Sequence, residues 1–450
     1  MAVCAPEGFR LSLAAGIAEL DEQSSLDALQ EIHSRSLAEE LDRTERRYRL
    51  HALVREVAGA TDAQRRKHAQ SLKTEFEGWE QNWRQCEKDM ADWQTAFSWL
   101  LGNSEDDEIW LTAKHLADRG FRLTWRLGRL PEAYEISERM ARAVDRREDA
   151  PRLQAWYGNQ ALILRVWGRL GEAMELHKKQ EAICRALGNK DGLQASYGNQ
   201  ALILKHCGRL DEAMELHRKE EAICLELGNK DGLNRSYGNQ ALILRIWDRL
   251  EEAMRLHNKE EAICLELGDK GGLSRSYGNQ AVILQIWGRL EEAMELHKKK
   301  EAICEELGNK DGLQLSYAGQ ALILQAWDRL EEAMKLHKKE EAVCLELRNK
   351  NALQTSYGNQ ALILKVWGRL DEAMKLLKKQ KAICVELGNT RSLAICYANW
   401  GLLARKQGDS KTEREKLEQA LVLFTEIGMP REIKEVQAEL DETNRNSPPG

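Results

Sequence analysis

The sequence predicts an all-α solenoid of about eight helical hairpins, each 40 residues long. The first observation is the phrase YGNQALIL, which begins at Tyr157, Tyr197, Tyr237 and Tyr357 and has near copies at Tyr277 and Tyr317. The second is length: 450 residues are too many for one ordinary core, and a fixed period favours a stack of small units. The third is composition, since charged residues make up 31% of the chain and there are only six prolines, which is typical of a helical protein.

The unit from Asp191 to Lys230 consists of two helices and a turn. The first, helix A, is marked by residues of one helical face: Leu193, Tyr197, Ala201 and Leu204. The phrase GRLDEA interrupts this pattern at Gly208, and a second periodic run, helix B, follows from Leu210. The phrase GNKDG then supplies the turn to the next unit, with a glycine and an asparagine suited to a left-handed helix C-cap.

This unit resembles the tetratricopeptide repeat, in the long form found in bacterial sensor proteins and kinesin light chains. The resemblance is carried by Tyr197 at the start of helix A, Ala201 four residues later, Gly208 at the turn and the pair Glu212-Ala213 in helix B. It covers residues 151–190, 191–230, 231–270, 271–310, 311–350 and 351–390, with weaker units at 111–150 and 391–428. It implies a right-handed solenoid of about eight units, the first and last degenerate.

Two columns depart from the family pattern. Gln200 stands where the family usually has leucine. A helix B position that is usually small and buried is occupied by Gln180, Glu220, Glu260, Lys300, Glu340 and Gln380. Because residues of both charges interchange there, we expect this position to reach solvent and helix B to be rotated relative to the family average.

The segment before the repeats has a different character. The phrases GFRLSLAAGIAEL, SSLDALQEIHSRSLAEEL and RRYRLHALVREVA predict two or three short helices, a strand or wing at 47–50 and a further helix. The phrase YRLHALVRE from Tyr48, with the connector-like DMADWQTAFSWLL from Asp89, resembles the end of the winged helix in the NB-ARC, or STAND, signal-transduction ATPases. This resemblance implies a nucleotide-sensing role for His51, although the family aspartate is replaced by Ala52. The alternative is an irregular helical cap on the solenoid.

We therefore expect four parts: a winged-helix-like remnant at 1–58, a helical connector at 59–110, repeats at 111–428, and a capping helix with a disordered tail at 429–450. The capping helix is expected at 431–442. No GxxxxGK[ST] phrase occurs, so a nucleotide-binding domain must come from outside this chain and is one expected partner. On this interpretation the chain is the C-terminal part of a larger switch or a truncated gene product.

The family register places two columns of helix A on the inner, concave face of the solenoid. The first column is Ala155, Ala195, Arg235, Arg275, Leu315, Thr355 and Ile395, and the second is Arg165, Lys205, Arg245, Gln285, Gln325, Lys365 and Arg405. Seven of these fourteen residues are basic and none is acidic, in a chain of net charge −6. This asymmetry predicts a basic groove for an acidic peptide, a free carboxylate or a phosphorylated segment. The alternative is that they are solubilising surface residues.

An asparagine column is the second candidate feature of the groove. Asn159, Asn199, Asn239, Asn279, Asn359 and Asn399 fall where peptide-binding tetratricopeptide domains place a clamp asparagine. The glycines just before them lie mid-helix, at a cost of about 1 kcal/mol each relative to alanine, which indicates close approach of a neighbouring helix or of the ligand. Packing alone is the competing explanation for both residues.

Other residue patterns predict packing rather than chemistry. The repeated cysteines Cys184, Cys224, Cys264, Cys304, Cys344 and Cys384 are expected to be small buried residues without disulfides. His177, His217, His257, His297 and His337 lie seven residues before a repeat cysteine, but two ligands on one helix make a poor tetrahedral metal site. The tryptophans that end helix A are expected at the corner between the helices. We expect no metal site, no cofactor and no catalytic constellation.

The resulting prediction is a cytoplasmic, non-catalytic solenoid that senses a protein or peptide ligand for a signal-transduction NTPase. No membrane partner is expected, since neither a signal peptide nor an apolar run of membrane length is visible. The first alternative is a structural scaffold that assembles with itself. The second is a nucleic-acid-binding regulator, which the acidic net charge and the lack of interleaved aromatic residues disfavour.

Overall fold

The computed structural model describes residue 4 and residues 8–35, 37–42, 46–50 and 60–446. It divides into two compact units, Met1–Leu227 and Gly228–Gly450, each with packed hydrophobic clusters of its own. Among the described residues, no helix has the length and apolar character needed to cross a lipid bilayer.

The first unit begins with a small antiparallel sheet and two helices. Strands β1 (Phe9–Arg10), β2 (Ala38–Asp42) and β3 (Arg47–Leu50) pair in the order β1-β3-β2, with Phe9 opposite Tyr48 and Ala38 opposite Leu50. Helices Leu11–Ala18 and Glu22–Ser34 lie between β1 and β2. The predicted strand at 47–50 is confirmed and two further strands join it. The winged-helix assignment stays a prediction, and the helix expected after Leu50, with His51, lies outside the described residues.

Three helices connect this sheet to the repeats: Asp62–Glu77, Trp79–Lys88 and Met90–Gly102. Thr61 begins the first of them with a capping box, in which its hydroxyl accepts from the amide of Gln64 and the Gln64 side chain accepts from the amide of Thr61. Leu72, Phe76 and Phe97 are at most 1% exposed and join one core with the first hairpin. The connector is therefore a packed part of the first unit.

Helical hairpins with a 40-residue period follow in both units. In the first unit they are Asp107–Arg126 with Leu130–Arg146, Ala150–Val166 with Leu170–Leu187, and Lys190–His206 with Leu210–Leu227. In the second they are Lys230–Ile246 with Leu250–Leu267, Lys270–Ile286 with Leu290–Glu306, Lys310–Ala326 with Leu330–Glu346, Lys350–Val366 with Leu370–Leu387, and Thr390–Gln407 with Ser410–Glu426. Within each unit, every helix B packs on its own helix A and on the next one.

The turns lie where the glycines of the sequence predicted them, and the one difference concerns the role of the asparagine. The break at Gly208 is confirmed, and this residue has the left-handed φ of 74° that glycine adopts without strain. Gly188 likewise ends helix B with a φ of 64°. The asparagine after it also serves the next helix, because the Asn189 side chain accepts a hydrogen bond of 3.0 Å from the amide of Gly192. Its own amide donates to the carbonyl oxygen of Cys184 at 2.9 Å and completes the C-cap of helix B, so Asn189 belongs to both caps.

The helix B column that was expected to reach solvent is buried, so that expectation is wrong. Gln180, Glu220 and Lys300 are between 3% and 7% exposed. The physical reason is a partner three residues earlier on the same helix face: Nδ1 of His217 lies 2.9 Å from Oε2 of Glu220, and Nδ1 of His177 lies 3.0 Å from Oε1 of Gln180. A buried carboxylate with a hydrogen-bonding imidazole is tolerated where an unpartnered one is not.

The same buried column explains the glycine of the repeated phrase. A Cβ on Gly198 would lie 2.5 Å from Oε1 of Glu220, and one on Gly238 would lie 2.8 Å from Oε1 of Glu260. The close approach inferred from the glycine is therefore that of a helix B side chain in the same hairpin. Alanine stands at this position twice, as Ala318 in the repeat whose helix B carries Glu340 and as Ala398 in the last unit.

The repeat cysteines are buried thiols, as expected. Cys184, Cys304 and Cys384 are 0% exposed, and all ten cysteines of the chain are free. Sγ of Cys184 donates to Oε1 of Gln154 at 3.3 Å, and the equivalent contact joins Cys344 to Gln314. These two thiols thus link helix B to helix A of their own hairpins.

The second unit ends with helix Pro430–Asn446, longer than the predicted 431–442. It packs on Ser410–Glu426 through a cluster that includes Leu417, Phe424 and Val436. The expected disordered tail, residues 447–450, lies outside the described residues.

Candidate functional site

Each helix A has one face that its own helix B does not cover. In Lys230–Ile246 this face carries Arg235, Asn239, Leu242 and Ile246, at a spacing of three to four residues. Arg235 and Ile246 are exposed, whereas Asn239 and Leu242 are half-buried. We call this surface, with its equivalents in the other hairpins, the helix A face.

The predicted site residues lie on this face in both units. In the first unit the half-buried ones are Asn159, Asn199, Arg165 and Lys205. In the second unit the half-buried ones are Asn239, Asn279, Asn359, Asn399, Arg245, Lys365 and Arg405, while Arg235 and Arg275 are exposed. Both columns are therefore partly accessible to a ligand.

Neighbouring helices A bring the second basic column against the asparagine column of the next repeat. Nε2 of Gln285, at the basic position, donates to the carbonyl oxygen of Gly319, at the asparagine position, at 3.2 Å. The guanidinium of Arg405 contacts Oε2 of Glu439 at 2.6 Å across the same interval of 34 residues. The equivalent neighbours are Arg165 with Asn199 and Arg245 with Asn279.

The arginines of the helix A face differ in ion pairing from the arginines of the turns. The turn arginines are paired: Arg169 with Glu172 at 2.6 Å, and Arg249 with Glu252 at 2.6 Å. Among the described residues, by contrast, Arg165, Arg235, Arg245 and Arg275 form no ion pair. Nε of Arg165 is buried and has no hydrogen-bond partner within the described chain. A guanidinium with a buried nitrogen that lacks a hydrogen-bond partner is stabilised by an anion that contacts it.

The two lysines of the column are partly desolvated. Burial lowers the pKa of Lys205 and of Lys365, and the positive charge of Lys406 adds to the effect at Lys365. An anion bound beside these ammonium groups would shift both pKa values back upward, because it favours the charged form. Both lysines therefore gain more from a carboxylate than fully hydrated lysines would.

Arg405 differs from the other members of the column. Its guanidinium donates to Glu413 at 2.6 Å, to Glu439 at 2.6 Å and to Glu442 at 3.0 Å. It also donates to the hydroxyl of Thr443 at 3.3 Å. Because helix Ser410–Glu426 and the capping helix Pro430–Asn446 already supply these acceptors, we leave Arg405 out of the proposed ligand-binding set.

An apolar stripe on the same face was missed by the sequence reasoning. Ile246 is 59% exposed, Ile286 57% and Val366 59%, each one residue after the second basic column or its glutamine replacements. Leu322 lies three residues after the asparagine position and three residues before the second basic position, and it is 46% exposed. The available signal was the spacing of seven residues from asparagine to this isoleucine or valine, which places both on one helical face. The face therefore offers apolar, amide and cationic groups side by side.

A cavity of about 330 Å³ in the first unit is a further feature the sequence did not reveal. It is lined by Trp79, Phe121, Arg122, Trp125, Arg126 and Leu162. The guanidinium of Arg126 lies 5.6 Å from the ring centre of Trp83. Trp79 and Leu162 are far apart in sequence, so only the fold brings this aromatic wall together.

The buried histidines and the corner tryptophans contribute to packing. Burial lowers the pKa of His177 and of His297 to about 4, so both imidazoles are neutral at pH 7. Trp167 packs against Tyr134 of the preceding hairpin with ring centres 5.2 Å apart. Trp167 thus contacts the preceding hairpin, whereas the sequence predicted packing at the corner between helices A and B of one hairpin.

Comparison with known proteins identifies the fold. No protein-family model matches the chain, and no curated protein matches it. The Signal Transduction ATPase with Numerous Domains (STAND) protein with a tetratricopeptide repeat sensor, from Pyrococcus horikoshii, superposes with a TM-score of 0.67 at 16% identity, over 95% of this chain and 63% of its own length. The quorum sensor NprR from Bacillus thuringiensis superposes with a TM-score of 0.56 at 12% identity, over 79% of this chain and 98% of its own.

The chain thus spans less than two thirds of the Pyrococcus structure. At these identities the likeness concerns the fold, and it agrees with the 40-residue hairpins and their turn glycines. The chain is an all-α tetratricopeptide-type repeat solenoid.

Proposed function

We propose that the helix A faces bind a peptide segment of a partner protein that carries acidic and apolar side chains. The observation that supports this most is the contrast in ion pairing: the turn arginines have carboxylate partners, whereas Arg165, Arg235, Arg245 and Arg275 have none within the described chain. Cations without carboxylate partners, of which Arg165 and Arg245 are half-buried, form a binding surface for carboxylates. The protein acts by binding and has no catalytic role.

A contact of the proposed kind occurs within the chain, between Arg405 and the capping helix. Glu439 lies one repeat beyond Asn399, and its carboxylate sits 2.6 Å from the guanidinium of Arg405. In the preceding full repeats the same position is an uncharged asparagine or glycine, and Arg165 and Arg245 at the basic position form no ion pair within the described chain. A ligand carboxylate placed there would make the contact that Glu439 makes.

The rest of the face suits the other parts of a peptide. The half-buried asparagine amides offer a donor and an acceptor to a peptide backbone, whatever its sequence. Ile246, Ile286 and Val366 offer apolar surface one residue away from the basic column. Acidic residues alternating with apolar ones would satisfy both surfaces at once.

We place this binding in a cytoplasmic signalling protein. All ten cysteines are free thiols, which is the usual state of cysteine in a reducing compartment. The Pyrococcus structure is described as a STAND protein with a tetratricopeptide repeat sensor, and the Bacillus protein as a quorum sensor. By analogy with the first, the repeats sense the ligand and the segment at 1–58 transmits occupancy to a nucleotide-binding domain.

The test uses the full chain and a fluorescent peptide of alternating glutamate and leucine, with binding followed by anisotropy. In the face variant, Arg235, Arg245 and Arg275 are changed to alanine. In the matched control, the turn residues Arg249, Arg289 and Arg329 are changed to alanine, which removes the same charge from the same unit. We expect the face variant to bind at least about tenfold more weakly and the control to change less than about threefold.

Three results would count against the proposal. Equal losses in both variants would show nonspecific charge attraction. Failure of the wild type to bind the peptide, with a mass that grows with concentration, would favour a self-assembling scaffold. Tighter binding of random single-stranded DNA than of the peptide, falling steeply with salt, would favour a nucleic-acid regulator.

A further inference from the structure

Three side chains with different metal-binding atoms meet inside the first unit, away from the helix A face. They are the thiol of Cys4, the imidazole of His68 on helix Asp62–Glu77 and the carboxylate of Asp92 on helix Met90–Gly102. Their ligand atoms all lie within 4.8 Å of one another. We propose that these three residues bind a zinc ion.

The geometry fits a tetrahedral ion. Nε2 of His68 lies 3.4 Å from Oδ1 of Asp92. In a zinc site with bond lengths of about 2.0–2.3 Å, two neighbouring ligand atoms are about 3.3–3.7 Å apart. The pair therefore already has the separation that one shared ion requires, and the thiol lies within reach of both.

The chemistry of the three ligands also fits. A thiolate, a neutral imidazole and a carboxylate carry two negative charges between them, which balance the charge of Zn²⁺. That balance matters because Cys4 is 2% exposed, His68 2% and Asp92 0%. A buried site with no net charge avoids the desolvation penalty of an isolated ion.

Without an ion, His68 is poorly accommodated. Its Nε2 is buried and makes no hydrogen bond with the described residues. Burial raises the pKa of the Cys4 thiol, and the nearby charge of Asp92 raises it further. The thiol then keeps its proton, whereas zinc would displace that proton and give the buried nitrogen a ligand bond.

The competing explanations fit less well. A catalytic cysteine needs a stabilised thiolate and an approach route, but this thiol is almost fully buried and its pKa is raised. Simple packing does not explain why a thiol, an imidazole nitrogen and a carboxylate oxygen meet within 4.8 Å of one another in a buried place. The site would act structurally, tying Cys4 to two helices of the connector. A fourth ligand would be water or a group outside the three residues.

The experiment starts from the full chain stripped of metal with a chelator and dialysed against zinc. We expect one zinc per chain by elemental analysis and a higher Tm with zinc than with chelator. Cobalt in place of zinc should give the intense visible bands of a tetrahedral site and a thiolate-to-cobalt charge-transfer band.

The variants are Cys4→Ser, His68→Gln and Asp92→Asn, and the matched control is Cys86→Ser, another buried free thiol of the same unit. We expect the three variants to lose the zinc and the Tm increase, and the control to keep both. Absence of a thiolate band in cobalt-loaded wild type would overturn the proposal without any variant. Zinc retained by Cys4→Ser at the wild-type level would also overturn it.

Discussion

The imidazole of His297 occupies the space in which a side chain at Gly319 would begin. A Cβ on Gly319 would lie under 3.0 Å from Cε1, Nε2 and Cδ2 of that ring. Gly319 stands at the position that is asparagine in the other full repeats, and Lys300, three residues after His297, stands where the other full repeats have glutamate or glutamine. Lysine offers no acceptor, so neither nitrogen of His297 has a hydrogen-bond partner within the described chain. The glycine at position 319 and the lysine at position 300 are therefore linked, because both concern the imidazole of His297: the first gives it space and the second gives it no acceptor.

This relationship predicts the effect of restoring the asparagine. Gly319→Asn should lower the free energy of unfolding by about 1–3 kcal/mol, because the new side chain collides with a buried ring. Helix propensity favours the substitution by a few tenths of a kcal/mol, so it works against the expected loss. The measurement is urea unfolding of the full chain followed by circular dichroism.

A second substitution should reverse that loss. Lys300→Glu supplies the acceptor that Glu260 and Glu340 provide for His257 and His337 at 2.8 Å. With that acceptor the ring of His297 should turn away from position 319, and the double variant should regain at least half of the lost stability. Additive effects of the two substitutions would contradict the proposed coupling. Asn279→Gly, the reverse change one repeat earlier, is the control and should cost less than about 1 kcal/mol.

The carboxyl group of Glu75 should make the stability of the first unit depend on pH. Burial raises the pKa of its carboxyl group from 4.5 to about 7, Arg10 lowers it, and Asp89 and Asp92 raise it again. A carboxyl whose folded-state pKa lies above its unfolded value stabilises the fold below about pH 4.5, and this contribution is lost as the pH rises through 7. Relative to Glu75→Gln, the wild type should therefore lose about 1–3 kcal/mol of unfolding free energy between pH 5 and pH 8.

The assay for Glu75 is urea unfolding at several pH values with a chelator present, so that metal binding plays no part. Glu80→Gln removes an exposed carboxyl on the adjacent helix and is the control, for which we expect the wild-type pH profile. A profile for Glu75→Gln that is parallel to the wild type would show that Glu75 does not titrate in this range.

The repeating architecture was predictable because each feature is local. Gly208 marks the break between helices, the periodic apolar residues mark the faces, and Cys184 in an apolar helix predicts a buried thiol. Each of these depends on spacing within one hairpin, which duplication repeats. The strand or wing predicted at 47–50 is likewise a local feature of its own segment.

The buried polar column and the cavity were not predictable in the same way. A position that holds Glu220 in one repeat and Lys300 in another has the composition of a surface site. The burial of Glu220 is explained only by its contact with His217, three residues earlier. The cavity wall joins Trp79 to Leu162 across several helices. The role of Arg405 depends on Glu439, which lies in a helix outside the repeat pattern. In all three cases the partner is specified by tertiary structure.

The last prediction concerns Arg405 and its contacts with the capping helix. Glu413 is 3% exposed, and its carboxylate accepts from Arg405 at 2.6 Å and from the hydroxyl of Thr443 at 2.6 Å. Arg405→Ala removes the only cation paired with this buried carboxylate among the described residues and leaves Glu439 without its ion pair. We expect a loss of about 2–4 kcal/mol in unfolding free energy, because an uncompensated charge then remains buried.

Hydrogen exchange would locate this loss. Protection should fall first in helix Pro430–Asn446, since Arg405 joins that helix to its neighbours through Glu439, Glu442 and Thr443. Arg431→Ala is the control: it breaks an exposed i,i+4 pair with Glu435 in the same helix and should change stability by less than about 0.5 kcal/mol. Equal effects of the two substitutions would mean that the Arg405 network is no stronger than a surface ion pair, and Arg405 would then rejoin the basic residues available to a ligand.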